Sequence, residues 1–260
     1  MERDEHIVNA RRAFTLIELL VVVAVLSLLL GVLVPILHRA RAASKRVACQ
    51  ARLRQIALAW DLYLNDSDGF FYQGVNANHD FGGACGKGAF NTKRPLNPYL
   101  GLPADVAQME RTDIFCCPTD TGGVLGRPPL QPAYEYYGNS YQTNILLVGP
   151  DQIGVPDNEW RPLHEEINNR LKGLRRSSVN SPARLLLVGD DPWVAEWLPA
   201  MPHREGWHGT SRSHNVGFLD GHVCFLPIRK GLYVDNEYAV LPFEDLYALG
   251  RRLQFTDKSR

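Results

Sequence analysis

The chain has 260 residues, of which 45% are hydrophobic and 22% are charged, a composition that excludes a disordered chain and allows one sizeable globular domain. The 28 basic and 28 acidic residues balance, and no run of Lys or Arg marks a nucleic-acid surface, so we expect no nucleic acid among the partners. The ten Tyr, ten Phe and five Trp, together with 22 Gly and 17 Pro, favour short strands and structured loops over a helical bundle.

The first predicted element is a membrane-spanning helix. Positions 19–37 form a run of 19 uncharged residues, which at 1.5 Å per residue spans a bilayer. A cleaved secretory signal would have a shorter apolar core of about 7 to 15 residues.

Charges on the two sides of this run bear on its orientation. The basic residues after it are Arg39, Arg41, Lys45 and Arg46, and those before it are Arg3, Arg11 and Arg12. The positive-inside rule alone would keep the part after the run in the cytoplasm.

The stretch RRAFTLIELLVVVAV, residues 11–25, resembles the N-terminus of type IV prepilins and type II secretion pseudopilins. The resemblance implies that prepilin peptidase cuts between Ala13 and Phe14 and that the new α-amine of Phe14 is methylated. Ala13 stands where the family usually has Gly. Pro35 stands where pilins commonly carry a proline that kinks the helix.

Glu18 is the fifth residue after the implied cut and the one acid at the start of the apolar run. An ionised group inside a bilayer is costly, so a carboxylate there needs a reason. The resemblance implies that it faces the N-terminal ammonium of a neighbouring subunit in a filament and so fixes the register between the two. The alternative is that Glu18 reaches the membrane interface, one turn from the start of the run.

The helix is predicted to continue beyond the membrane, because apolar residues recur at helical spacing on one face. These residues are Leu53, Ile56, Ala57, Trp60, Tyr63 and Leu64. The turn-forming sequence NDSDGFF, residues 65–71, predicts the end of the helix. The alternative for this segment is a calcium loop that uses Asp66 and Asp68, although it lacks the full EF-hand spacing.

The remaining sequence predicts a strand-rich head. Residues 72–113 indicate irregular loops with short strands, and residues 113–120, 139–148 and 183–190 have β-rich composition. Residues 244–255 favour a short terminal helix.

The clearest local pattern is HNVGFLDGHVCFLPI, residues 214–228, which predicts a β-hairpin with Asp220 and Gly221 as a two-residue type I′ turn. Together with a Cys-Pro pair and an SYxxN segment, it resembles prepilin-like proteins that carry a C-terminal His, nine residues and then Asp-Gly. Here eleven residues separate His208 from Asp220, and five separate His214 from Asp220.

The five cysteines would meet an oxidising compartment if the head is exported. Cys116 and Cys117 are neighbours, and a bond between them would be strained, so at most one joins a long-range disulfide. We predict Cys49 with Cys117, although the sequence leaves the connectivity open. No CxxC or paired Cys/His spacing indicates a structural zinc site.

A histidine-rich region offers a second function. Imidazoles and carboxylates together can hold a divalent metal and activate water. The candidate ligands are His208, His214, Asp220 and His222, with His203, Glu205, Asp190 and Asp191 nearby in sequence. The alternative function is therefore a membrane-anchored periplasmic metal-binding enzyme or binding module.

The first hypothesis is a structural subunit, not an enzyme, with the α+β fold that the resemblance implies: a long N-terminal helix packed on an antiparallel β-sheet head with long loops. Its parts are a leader (1–13), a transmembrane and filament-core helix (14–38), an amphipathic continuation (39–65) and a soluble head (66–260). The implied partners are prepilin peptidase, other pilin or pseudopilin subunits, the inner-membrane assembly machinery and the membrane. We expect a single-pass inner-membrane protein with its head in the periplasm or on an extracellular filament, and no cofactor apart from the calcium alternative.

Overall fold

The computed structural model describes residues 15–74, 76–88, 92–106, 111–122, 131–149, 161–197, 206–230, 237–243 and 245, with the backbone alone for 161–164. The chain divides into two compact units, residues 1–43 and 44–260. The described helices are α1 (Leu16–Asp66), α2 (Ala77–Asp80), α3 (Ala133–Tyr137), α4 (Ile145–Val148), α5 (Arg161–Leu171) and α6 (Trp193–Trp197). Two 3-10 turns span Asn97–Leu100 and Arg176–Ser178.

Helix α1 begins with a reciprocal capping box. The backbone N–H and the hydroxyl of Thr15 both donate to Glu18 Oε2 at 2.8 Å, and the Glu18 N–H donates back to Thr15 Oγ1 at 3.2 Å. This arrangement satisfies backbone donors that a helix start leaves without intrahelical partners. Glu18 therefore has a local structural role at the start of α1.

The first part of α1 exposes its apolar side chains on every face. All residues from 15 to 37 are exposed, including Leu16, Val25 and Leu37, and α1 continues through Pro35. Within the described residues, α1 is the one helix long and apolar enough to cross a membrane. A helix that is apolar all round requires an apolar environment on all sides.

The second part of α1 buries one stripe. Cys49, Leu53, Ile56, Ala57, Ala59, Trp60 and Leu64 are buried. This confirms the predicted stripe, apart from Tyr63, which is only partly buried. Cys49 lies four residues before Leu53 and extends the stripe by one turn. Trp60 contacts Phe71 and Phe81, with ring centroids 6.1 and 5.8 Å away.

The turn predicted at NDSDGFF ends α1. Asp68 and Gly69 have φ of 52° and 81°, and the Gly69 N–H donates to the Leu64 carbonyl at 2.7 Å. This left-handed cap satisfies a terminal carbonyl of the helix.

Four antiparallel strands form one sheet in the order β1 (Tyr141–Thr143), β2 (Leu186–Asp190), β3 (Ser213–Phe218) and β4 (Val223–Pro227). Strands β2 and β3 are buried throughout, whereas β4 is partly exposed. The second part of α1 packs in the same core as the sheet. The predicted α+β class, with a long N-terminal helix on an antiparallel sheet, is therefore confirmed and is consistent with a pilin-like fold.

The hairpin of β3 and β4 is confirmed, but its predicted type I′ turn is wrong. The Gly221 N–H donates to the Phe218 carbonyl, and the Phe218 N–H donates to the His222 carbonyl, both at 2.9 Å. The loop is therefore the three residues 219–221, a turn closed by a glycine bulge. Only Gly221 needs positive φ, at 90°, and Asp220 stays outside the left-handed region.

The strand predicted at 113–120 is wrong, and the one predicted at 139–148 is right only for its first part. Residues 113–120 form turns rather than a strand. Strand β1 stops at Thr143, because Asn144 accepts a hydrogen bond from the Leu146 N–H at 3.1 Å and starts α4. The predicted terminal helix at 244–255 lies outside the described residues, apart from 245.

Candidate functional site

The sheet register positions two polar side chains beneath α1. Tyr141 of β1 is paired with Asp190 at the end of β2, so their side chains share one face of the sheet. Cys49 of α1 lies against both, with its Sγ 3.2 Å from Tyr141 Oη and 3.1 Å from Asp190 Oδ1. Side chains of α1, β1 and β2 thus meet at one buried point.

Two loops complete this cluster. Cys117 follows the turn at 113–116, and its Sγ lies 3.0 Å from Cys49 Sγ. His208, in the turn before β3, places Nε2 3.2 Å from Asp190 Oδ2 and 3.8 Å from Cys117 Sγ. The donor atoms of Cys49, Cys117, Asp190 and His208 all lie within 4.8 Å of one another. We call these four residues the buried thiol cluster.

Further hydrogen bonds orient the cluster. The backbone N–H and the side-chain amide of Asn215 donate to Asp190 Oδ2 at 2.8 and 3.2 Å. Thr119 Oγ1 lies 3.2 Å from Cys117 Sγ and 3.3 Å from His208 Nδ1. Each of the four side chains is therefore held by a second polar group or by backbone.

Burial and hydrogen bonds shift the pKa values of the two thiols in opposite directions and raise the pKa of His208. Burial above all, and then the hydrogen bond with Cys117, raise the pKa of Cys49 well above its usual value. Burial opposes ionisation of Cys117, yet its hydrogen bonds with Cys49 and His208 outweigh this and lower its pKa to about 7. Burial also opposes the charged form of His208, but the hydrogen bonds with Asp190 and Cys117 raise its pKa to about 9.

These groups allow two kinds of chemistry. Two adjacent thiols can form a disulfide, and two thiolates with an imidazole and a carboxylate can bind a metal ion. All five cysteines are free thiols in the structure, so the disulfide between Cys49 and Cys117 stays a prediction.

The structure does not bring together the four ligands predicted from the histidine-rich region. His208 belongs to the buried thiol cluster. Asp220 and His222 pair with each other at the hairpin turn, with Oδ1 and Nδ1 2.6 Å apart. His214 is fully buried, and burial lowers its pKa; among the described residues, neither of its ring nitrogens has a hydrogen-bond partner.

Other sequence candidates lie elsewhere. Asp191 pairs with buried His79, with Oδ1 2.5 Å from Nε2, a partner that the sequence did not indicate. Asp66 Oδ2 accepts a hydrogen bond from the Tyr99 hydroxyl at 2.9 Å, and Asp68 lies in the turn after α1. The calcium hypothesis for this pair stays a prediction.

The proposed processing site and two members of the histidine-rich region cannot be placed. Ala13, Phe14, His203 and Glu205 lie outside the described residues.

Sequence reasoning missed Cys49, Cys117 and Asp190 as a set with His208. Cys49 is separated from Cys117 by 68 positions and from Asp190 by 141, and Cys117 from His208 by 91. Metal motifs are recognised by short spacing, which this cluster lacks. Two features of the sequence could have pointed to the cluster. Cys49 lies on the apolar stripe of α1, and Asp190 lies at the end of an apolar strand.

Comparison with known families identifies the N-terminal segment. Residues 8–34 match the prokaryotic N-terminal methylation motif. The match confirms the prepilin-type resemblance of this segment and supports a pilin or pseudopilin precursor, whereas the resemblance of the C-terminal hairpin stays a prediction. Searches of curated proteins and of solved structures returned no match.

Proposed function

We propose that this prepilin-type chain is a structural subunit of a filament, either a type II secretion pseudopilus or a type IV pilus-like fibre. The observation that carries the proposal is the methylation motif over residues 8–34, which runs into a helix with apolar side chains on every face. Proteins with this motif are structural rather than catalytic. Prepilin peptidase would perform the chemistry on the chain, cutting between Ala13 and Phe14 and methylating Phe14.

The exposed apolar surface of α1 suits a subunit that changes surroundings. Residues 16–37 would lie in lipid before assembly and against the same helices of other subunits afterwards. Both environments are apolar, so transfer between them exposes little apolar surface to water. Inner-membrane assembly machinery and other pilin or pseudopilin subunits are the partners that such a transfer needs.

Glu18 would supply the register of assembly. In the structure it accepts two hydrogen bonds through Oε2 in the capping box. The other oxygen, Oε1, is not part of that box and would face the Phe14 ammonium of a neighbouring subunit. A charge pair in an apolar filament core penalises every register that leaves one charge alone.

For localisation we propose the inner membrane, with a single span and the head in the periplasm or on the filament. Export by the prepilin route favours this orientation, and the basic residues after the span favour the opposite one. Cys85 is exposed, so a membrane-impermeant thiol reagent applied to spheroplasts can distinguish the two orientations. The reagent labels Cys85 only if the head is in the periplasm.

The deciding experiment is the N-terminal sequence and mass of the mature protein from its native membrane. A strain that lacks prepilin peptidase is the control. We expect a chain that begins with N-methylated Phe14 in the parent strain and an uncut chain in the control. An uncut chain in both strains would overturn the proposal in favour of an uncleaved membrane-anchored protein.

A further inference from the structure

We propose that the buried thiol cluster is a structural zinc site that ties α1 to the sheet, with Cys49, Cys117, Asp190 and His208 as its four ligands. The inference concerns the head and holds whichever filament the chain joins. Two thiolates, an imidazole and a carboxylate form a donor set that Zn²⁺ accepts in four-coordinate sites.

The donor atoms lie close together, and most of them would move apart by a few tenths of an ångström to reach the spacing of a tetrahedral zinc site. Zinc bond lengths of about 2.3 Å to sulfur and 2.0 Å to nitrogen or oxygen require donors about 3.3 to 3.8 Å apart. In the structure, the ligand atoms are 3.8 Å apart between Cys117 Sγ and His208 Nε2, and 3.1 Å apart between Cys49 Sγ and Asp190 Oδ1. His208 Nε2 lies 3.2 Å from the other carboxylate oxygen, Asp190 Oδ2, so its ring already faces the carboxylate. The two sulfur atoms, 3.0 Å apart, would separate by about 0.8 Å on binding.

The surrounding groups can donate hydrogen bonds to the thiolates and leave the metal-binding atoms of the other ligands free. If His208 Nδ1–H donates to Thr119 Oγ1, its Nε2 is left as a ligand, and the Thr119 hydroxyl can donate to the Cys117 thiolate. The Tyr141 hydroxyl can donate to the Cys49 thiolate. Asn215 holds Asp190 Oδ2, which leaves Oδ1 for the ion. Outer contacts of this kind orient the ligands of metal sites.

A disulfide would use these residues less well. Asp190 is fully buried, and its Oδ1 accepts a hydrogen bond from the Cys49 thiol. Oxidation would remove that proton and leave a buried carboxylate oxygen against a sulfur atom that cannot donate. The His208 side chain is 1% exposed. A disulfide would not explain why an imidazole is buried beside the two sulfur atoms.

Binding would release protons and close the coordination sphere. Both thiols and the imidazolium of His208 give their protons to solvent, so that Cys49 and Cys117 bind as thiolates, His208 as neutral imidazole and Asp190 as carboxylate, with three negative charges around the dication. Four protein ligands leave no open position for a catalytic water, which makes the site structural. Because the ligands come from α1, β2 and two loops, the ion would join all of them.

The test is the zinc content of the full-length chain, purified in mild detergent with a thiol reductant and measured by inductively coupled plasma mass spectrometry. We expect about one zinc per chain. Cys117→Ser should abolish zinc binding and Cys116→Ser should retain it, since Cys116 is the buried neighbour outside the cluster. His208→Ala and His222→Ala form a second matched pair with the same expected contrast.

A measurement on the unmodified chain avoids dependence on variants that fail to fold. After chelation, cobalt(II) should restore the site and give the visible and charge-transfer absorption of a tetrahedral cobalt thiolate centre. A second sample is purified without reductant. If it contains no zinc and yields peptides joined by a disulfide between Cys49 and Cys117, the proposal is wrong. Full zinc retention in a folded Cys117→Ser variant would overturn it as well.

Discussion

The two parts of α1 form one continuous helix but are built for different surroundings. Residues 16–37 expose apolar side chains on every face, whereas residues 49–64 bury a single stripe. The backbone is helical in both, so helix propensity does not distinguish them. The distribution of apolar side chains around the axis decides whether a helix requires an apolar medium or the core of its own domain.

The largest expected effect comes from the buried stripe. Trp60→Ala should lower the free energy of unfolding of the head by about 3 to 5 kcal/mol, because it removes a fully buried ring packed on Phe71 and Phe81. Leu58→Ala, on the exposed face of the same helix, should change it by less than about 0.5 kcal/mol. Denaturant unfolding of the full chain in detergent measures the free energy of unfolding of both variants. Equal losses of stability would contradict the burial of a single face of the helix.

Zinc should stabilise only the part of the molecule that contains the buried thiol cluster. Free zinc at a hundredfold excess over its Kd should raise the free energy of unfolding of the reduced head by about 2.7 kcal/mol. His208→Ala should abolish this gain, and magnesium, which prefers oxygen ligands, should not replace zinc. Thermal unfolding followed by tryptophan fluorescence reports on the head, and an equal gain in His208→Ala would argue against the site.

Replacing Gly by Ala should have opposite effects on stability in the two parts of α1. Gly69→Ala should destabilise the head by about 1 to 2 kcal/mol, since Gly69 caps α1 with a φ of 81°. Its Cβ would find ordinary contacts, the nearest at 3.5 Å, so the cost is in the backbone.

The matched change is Gly31→Ala within the exposed part of α1, where a Cβ meets nothing within 4 Å. There the helix should gain about 0.5 to 1 kcal/mol locally. Hydrogen exchange of the two regions measures both effects, and destabilisation at both positions would refute the expectation.

Glu18→Gln should have the smallest effect on folding while abolishing assembly. Gln can replace Glu in a capping box, so the start of α1 and membrane insertion should remain intact. The charge is lost, and with it the pairing proposed with a neighbouring Phe14. Thr15→Val removes the hydroxyl of the box and keeps the charge, so it should still assemble. The amount of each variant in isolated filaments measures its assembly. If Glu18→Gln is incorporated as well as the wild type, charge pairing does not set the register.

The sequence predicted those features that depend on near neighbours. The stripe from Leu53 to Leu64, the end of α1 and the hairpin at Asp220 follow from spacing and turn chemistry, and the structure has all three. The hairpin loop was misjudged because Leu219, an apolar residue, occupies the first turn position. At Asn144 a local side-chain cap prevailed over the β propensity of the residues that follow.

The buried thiol cluster could not be predicted in the same way. Its members meet only because Tyr141 and Asp190 are paired across two strands and α1 lies over them. Sequence indicated that Cys49 and Cys117 belong together, but no pattern related either one to Asp190 or His208.

The order of the four residues along the chain also sets an order in time. Cys49 and Cys117 are synthesised before Asp190 and His208, and 91 positions separate Cys117 from His208. At about 5 to 20 residues per second, the two thiols exist for roughly 5 to 20 s before the imidazole does. In the exported orientation proposed above, the two thiols would meet periplasmic oxidants during that interval without their buried partners. The maturation of each molecule would then depend on a race between oxidation of its early cysteines and completion of its last strands.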